Sequence, residues 1–444
     1  MKAPGWYLRL LSSLYLSTFV VRASFAISFI VFPLYLKGTG IQDSYLLYAL
    51  VLSLSPLLEL STVLGLGAWI DKAGRKRVLV GGAALSAVAL ALFAVSNDPL
   101  WVAFVNGLHG ISAAAILVSS LALITDYAEH SNRGREMGVF EFIQVFGWFA
   151  GFAVGGVLSE LWADDLHLAF LLGAGLGAFG AVYAVLNVTE PERREHLTEQ
   201  LGWGHLVSVL RQRKVVLLIL PWMLVYVLIS SIFTFASKAG FEEAGMSGYQ
   251  LTLLLCGGGA FLLVTFVFFG RMSDKYGRMP IMLVGTVGMV GAMLTVGVYT
   301  MVAPEDGWPL SDHRMWPFLG VGGAFTFMAG AFGPSALASL ADVSHKKKRG
   351  MTMGLYSFVI SLAMTVGPIL SGAVIDRWGG AGVLAFMTSI AMLMLALVLV
   401  QWWDRRRTPW EEGEGKGGSK GEGKGGAGAH GDEGAPGHGD GPPG

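Results

Sequence analysis

The amino-acid sequence predicts an all-α integral membrane protein in which twelve spanning helices form two related six-helix halves. Three observations carry that reading. Of the 444 residues, 53% are hydrophobic and only 14% charged, against about 25% charged in ordinary soluble chains, and the mean hydropathy is +0.58. Twelve apolar segments each approach or exceed the ~20 residues that a spanning helix needs. The last six segments repeat residues of the first six in order and at fixed spacing, the mark of an internal duplication.

The first six segments cover 10–36, 45–70, 78–96, 100–124, 137–159 and 166–188. The second six cover 215–237, 251–270, 281–302, 315–340, 352–375 and 381–403. Each reads as a helix because lipid gives backbone N–H and C=O groups no partner outside the segment. The first segment exceeds the ~7–15-residue apolar core of a cleaved signal, so it is expected to stay in the mature chain. Residues 1–188 are thus expected to form the N-terminal bundle, 189–214 a polar cytoplasmic linker and 215–403 the C-terminal bundle. Residues 404–444 form a tail; from Glu411 onward it is Gly-rich, interspersed with Glu, Lys, His and Pro. With no apolar run it cannot bury enough surface to fold and reads as disordered.

Lys and Arg set the orientation. With the N-terminus in the cytoplasm, 26 of the 31 lie on that side, four (Lys37, Lys238, Arg314 and Arg377) lie outside, and Arg22 lies within the membrane. The expectation is a multi-pass plasma-membrane protein with both termini cytoplasmic. Zero formal net charge leaves no basic field for nucleic acid. A single cysteine, Cys256, excludes an intramolecular disulfide and a cysteine metal cluster.

The repeat has two registers. Asp126, Arg133, Gly134, Met137, Gly138, Phe142, Gly151 and Gly156 recur 216 positions later as Asp342, Arg349, Gly350, Met353, Gly354, Phe358, Gly367 and Gly372. Gly67, Asp71, Lys72, Gly74 and Arg75 recur 203 positions later as Gly270, Asp274, Lys275, Gly277 and Arg278. The 13-residue difference falls in a longer loop at 304–314. Parallel-related halves are the gross plan of many secondary transporters.

The second register contains the most specific motif. Gly67 permits close helix contact, and Gly74 permits a turn at positive φ. Asp71 is suited to a neighbouring helix N-terminus, and Arg75 to holding that carboxylate. Here the chain resembles the major facilitator superfamily, whose loop between helices two and three carries G-x-x-x-D-[RK]-x-G-R-[RK]. The resemblance spans roughly residues 7–403 and implies that fold, with the loop and its echo acting as a conformational gate.

A second motif is the stripe Gly147-x-x-x-Gly151-x-x-x-Gly155-Gly156. Small residues at this spacing let another helix approach. It resembles the helix-five motif of the family's proton-coupled exporters, with Phe152 where that motif has Pro. The counterpart Gly367-Pro368-x-x-x-Gly372 keeps the Pro. In helix four, Asn106 and His109 stand where proton-coupled members often carry Arg and Gln. Thr189-Glu190-Pro191-Glu192 does not match the P-E-S-P-R pattern of sugar porters.

Ionisable residues within spanning helices cost ~2.5–3.5 kcal/mol on insertion scales and are functional candidates by default. Arg22, Glu59 and His109 lie near the middles of the first, second and fourth segments, and Glu141 lies ~6 Å inside the fifth. Their repeat equivalents are Val225, Leu262, Phe325 and Ser357, so the charge is confined to the first half. Arg22 and Glu59 at similar depth make a salt bridge feasible, either as a structural pair or as a site where Glu59 takes a proton when Arg22 is drawn away. Arg22 as an anion-binding group is the further reading. His109 is either a satisfied histidine or a group titrating near neutral pH. Glu141 reads as a helix-terminal or gate contact. Trp148, inside the glycine stripe, is the tryptophan expected to touch substrate.

The resemblance and these residues together imply a secondary transporter working by alternating access, with proton-coupled export of amphipathic or cationic compounds as the main reading. The alternative is a proton-coupled importer of an organic anion or other small metabolite; a non-transporting sensor is remote. The chain carries no nucleotide loop or catalytic set, so it reads as no enzyme, without metal or cofactor. The expected partners are a small-molecule substrate, protons and membrane lipid, with the protein as a monomer.

Overall fold

The computed structural model of the protein describes residues 5–36, 41, 44–127, 133–163, 165–191, 213–242, 248–303, 312–343 and 349–407. The expected linker from 192 and the tail from 408 lie outside them. The described residues are almost entirely helical. In chain order the helices are α1 (Gly5–Tyr35), α2 (Tyr45–Ala73), α3 (Arg75–Phe93), α4 (Pro99–Tyr127), α5 (Arg133–Leu161), α6 (His167–Asn187), α7 (Arg213–Glu242), α8 (Gly248–Tyr276), α9 (Arg278–Val302), α10 (Met315–Ala329), α11 (Phe332–Val343) and α12 (Arg349–Arg407). Among the described residues, ten stretches are long and apolar enough to cross a membrane, and the last, Phe358–Arg407, is 50 residues long. That length is twice what one crossing needs, and Gly379 divides it with φ +67°. Counted as two crossings it brings these to eleven, and the remaining predicted segment, 251–270, lies on α8.

The tenth segment departs from a single helix. It breaks between α10 and α11, where Gly330 and Ala331 bond back to Thr326 and Met328. Pro334 has no N–H to offer the carbonyl four residues earlier, so the α-helical ladder fails there.

Helices in lipid gain no hydrophobic driving force from each other and associate where small residues let backbones meet. The glycine stripe does this on two partners. A Cβ on Gly147, Gly151 or Gly155 would lie 2.9 Å from Arg22 Cβ, 2.3 Å from the Ala23 carbonyl oxygen and 3.0 Å from the Ile27 carbonyl oxygen, all on α1. One on Gly156 would lie 2.1 Å from Thr252 Oγ1 on α8. The repeat reproduces the arrangement. Gly367 on α12 meets Ser230 and Val227 of α7, and Gly372 meets Tyr45 and Ala49 of α2. Ala49 and Thr252 are themselves 203 positions apart, so the two contacts between the halves are duplicates of each other.

The motif loops join α2 to α3 and α8 to α9 through Gly74 at φ +98° and Gly277 at φ +92°, a region that a side chain disfavours. Beyond the glycines the two copies differ. Arg75 is fully buried and donates from Nε to Asp126 Oδ2 on α4 at 3.0 Å. The acceptor at the N-terminus of α3 is Glu190, whose two oxygens take the Arg75 and Lys76 amides at 2.8 Å each. Among the described residues the carboxylate that Arg75 meets is thus Asp126, on α4. A glycine N-cap has no side-chain acceptor, and Glu190, arriving after α6, supplies one. In the second copy, Arg278 does pair with Asp274 of its own motif. Lys72 is exposed at the end of α2, and Lys275 lies over the Tyr276 ring at 5.1 Å. A Cβ on Gly270 would meet Pro334 at 3.8 Å among the described residues, an ordinary contact. The surroundings of Gly67 and Asp71 lie outside the described residues.

The described contacts between the halves gather at the bundle end where α2 begins. Asp376 of α12 accepts from the Tyr45 and Leu46 amides at 2.8 and 2.9 Å and from the Ser44 hydroxyl. A carboxylate thus caps the first turn of α2 from the opposite half. On the other side of this end, Thr252 Oγ1 donates to the Phe152 carbonyl at 3.3 Å, and Cys256 Sγ lies 3.9 Å from the Phe149 carbonyl. Losing such a cap costs ~0.5–2 kcal/mol. Asp376→Ala should therefore raise the labelling rate of Cys256 by a soluble maleimide several-fold; a rate equal to that of the unaltered protein would show that the clasp does not hold this end closed.

Candidate functional site

A cavity of about 330 Å³ lies between the halves, walled by α1, α2, α4, α5 and the end of α3 on one side and by α7 and α12 on the other. It brings together Arg22, Glu59, Asn106, His109 and Trp148, five of the six residues singled out for substrate or proton handling. Pro368 of the second stripe also lines it. The side chain of Glu141 lies outside the described residues. The charged lining residues all come from the first half; the second contributes Tyr226, Ser230, Phe233, Thr234, Ile360, Ser361, Met364 and Pro368.

Arg22 Nε donates to Gln144 Oε1 of α5 at 2.7 Å. The Glu59 carboxyl and the His109 ring line the same cavity as this guanidinium, in surroundings that screen charge less than water does. His109 is 2% exposed. Its Nε2 lies 3.3 Å from Ser86 Oγ, and Phe25 packs on the ring at a centroid distance of 4.0 Å. The ring is therefore both hydrogen-bonded and packed.

Asn106 serves the backbone. Pro56 inside α2 has no N–H, which strips the Leu52 carbonyl of its helical donor. Asn106 Nδ2 reaches the Val51 carbonyl at 2.6 Å and the Leu52 carbonyl at 3.4 Å. In lipid a freed carbonyl needs such a substitute. Pro368 does the same to the carbonyl of Met364, another lining residue.

Aromatic rings also line the cavity. Trp148 meets Phe25, Phe29 and Phe152 edge-on, with centroids at 5.2, 5.7 and 5.4 Å. Phe152, standing where the exporters' motif has Pro, thus fills the cluster with a ring. Phe29 meets Phe233 of the second half at 5.8 Å. The opposite wall adds hydroxyls that donate back to their own helices: Ser230 to Val227, and Thr234 to Ser230. Faced with an amphipathic cation, this arrangement offers a carboxyl and π-faces; faced with an anion, it offers a guanidinium.

Sequence reasoning passed over Gln144, Phe25, Phe29 and Phe233. Gln144 was detectable as a polar residue one turn before Gly147 on the same helix face. The phenylalanines carried no signal, because an aromatic facing a cavity and one facing lipid read alike in an apolar run. Trp222 is buried and stacks on Phe332 at 6.1 Å.

An unsatisfied buried acceptor costs ~1–3 kcal/mol. Asn106→Leu should lower the melting temperature accordingly, and Pro56→Ala, which restores an N–H to α2, should recover part of the loss in the double variant. Strictly additive losses would remove the link between the two residues.

Comparison with known proteins agrees with this architecture. The chain is 21% identical over 390 residues to the quinolone resistance protein NorA of Staphylococcus aureus (strain COL), covering 87% of this chain and 95% of that one. It is 23% identical over 361 residues to multidrug resistance protein 1 of Bacillus subtilis (strain 168), covering 77% and 82%. Among solved structures, a bacterial homologue of the human lysosomal transporter Spinster, inward-facing and occupied, superposes with a TM-score of 0.70 at 14% identity, covering 94% of this chain and all of that one. The model of the Major Facilitator Superfamily matches residues 14–308 and 259–429. The chain belongs to the Major Facilitator Superfamily and is a multi-pass membrane transporter.

Proposed function

We propose that the protein exports amphipathic cations in exchange for protons, with Glu59 as the carboxyl that alternates between proton and substrate. The observation that carries this reading is the union of Glu59, Arg22 and His109 with the Trp148, Phe25 and Phe29 rings in one cavity between the halves. A buried carboxyl beside a fixed cation changes its proton affinity when that balance changes, and aromatic faces attract a lipophilic cation by ~0.5–2 kcal/mol. The similarity to a quinolone resistance protein and a multidrug resistance protein supports the same direction.

Orientation follows from the Lys and Arg asymmetry: both termini lie in the cytoplasm and the chain crosses the plasma membrane, with residues 1–188 and 215–403 as the two bundles. The end closed by Asp376, Gly372 and Gly156 is then the outer one. Alternating access is rocking of one half against the other about this cavity. In that cycle Asp71 docks near the start of α12, around residues 351–354, whose side chains lie outside the described residues. Asp71→Asn should slow exchange about tenfold while leaving binding intact, measured as efflux from proteoliposomes; unchanged efflux would remove that role.

Proton release from the purified protein on adding tetraphenylphosphonium tests the central step. Release is expected from the unaltered protein and is expected to vanish in Glu59→Gln. A second reading, import of an organic anion, is favoured by the Arg22 guanidinium in the same cavity. It would take precedence if benzoate-like anions bound with proton uptake and no cation displaced a proton.

A further inference from the structure

The Arg22 side chain is held in a defined direction. Its Cβ rests on Gly147, where an added Cβ would lie 2.9 Å away. Its Nε donates to Gln144, three residues earlier on α5, at 2.7 Å. Residues three apart share a helix face, so the side chain runs ~4.5 Å along α5 toward the N-terminus of that helix. Gln144 is 6% exposed and lines the cavity. Its own place is fixed because Gly147, Gly151 and Gly155 lock α5 onto the α1 backbone.

The chemical character of the acceptor matters. A glutamine amide oxygen orients a guanidinium and leaves its charge intact. A carboxylate at the same place would form a charge-assisted pair and cancel that charge. The other ionisable residues of the first half that line the cavity with Arg22 and Gln144 are Glu59 on α2 and His109 on α4. From α7 the titratable lining residue is Tyr226, and the α12 lining residues Ile360, Ser361, Met364 and Pro368 carry no charge. Glu136, two turns from Gln144 on α5, is bonded by the Tyr15 hydroxyl at 2.7 Å and is not among the lining residues.

We propose that Gln144 is a positioning residue: by holding Arg22 through a neutral acceptor, it sets how much of the guanidinium charge falls on Glu59, and so the pH at which Glu59 gives up its proton to a cation. The inference rests on the proton-exchange reading above. It makes an opposed pair of predictions. In Gln144→Glu the new carboxylate takes the Arg22 charge, Glu59 loses support for its ionised form, and cation binding needs a higher pH. In Gln144→Leu the hydrogen bond from Arg22 Nε is lost, more of the guanidinium charge falls on Glu59, and binding persists to a lower pH.

The measurement is the pH dependence of tetraphenylphosphonium binding to the purified full-length protein. The midpoint is expected to move about half a unit to one unit upward in Gln144→Glu and downward in Gln144→Leu, a threefold to tenfold change in proton affinity either way. A merely structural role predicts shifts of the same sign in both, or weaker binding with an unmoved midpoint; either result overturns the proposal. If Gln144→Leu does not fold, Gln144→Met takes its place. Glu59→Gln separates the two claims. If it leaves the pH dependence unchanged, the proton-exchange reading falls and the Gln144 proposal with it. If it abolishes the dependence while the Gln144 variants fail to shift oppositely, only the Gln144 proposal falls.

Discussion

Backbone contact through glycine is the constraint on which the rest of this structure depends. A bilayer removes water as a hydrogen-bond partner and as a source of hydrophobic drive between helices. Helices form because nothing else satisfies the backbone, and they associate only where surfaces fit. Gly151 and Gly367 each bring a helix onto a carbonyl of the first helix of its own half, and Gly156 and Gly372 each carry the same helix across to the other half. A side chain at any of the four would meet atoms within 2.1–2.7 Å. The duplicated stripe thus builds each bundle and also joins the two.

The cavity inherits its character from this scaffold. With α5 pinned to α1, Gln144 and Trp148 have fixed stations beside Arg22, Phe25 and Phe29. Pro56 and Pro368 loosen the backbone ladder on opposite walls, and Asn106 takes up the carbonyls beside Pro56. The two walls differ chemically: the first-half wall carries Arg22, Glu59 and His109 together with Phe25, Phe29 and Trp148, and the second-half wall carries Tyr226, Phe233 and hydroxyls, with no charged residue among its described lining. A duplicated fold thus carries an unequal distribution of charge about its cavity.

The motif loops show how a duplication diverges. Both keep a glycine at positive φ, because no other residue takes that turn without strain. The arginines that follow have separated in role: Arg75 is buried with Asp126, and Arg278 stays half-exposed beside Asp274. Burial makes the first pair costly to break, ~3–5 kcal/mol when one partner is removed, whereas the exposed pair contributes little. The first copy is therefore a fixed anchor between α3 and α4, tied further by Glu190.

Much was legible in the amino-acid sequence, for a stated reason. Apolar run length, the period of the repeat and the Lys and Arg asymmetry are properties of composition along the chain, and lipid converts them directly into helices and halves. Arg22, Glu59 and His109 stood out because a charge in an apolar segment is costly wherever the helix points. What only the tertiary structure decided depends on which face of a helix meets which neighbour. The acceptor for Arg75 and the cap of α3 come from residues 51 and 115 positions away, and the clasp on α2 comes from Asp376, more than 300 positions away. Gln144, Phe29 and Phe233 became site residues because packing turned them inward. A carboxylate or a ring is visible in the letters; its partner is set by the distances that folding closes.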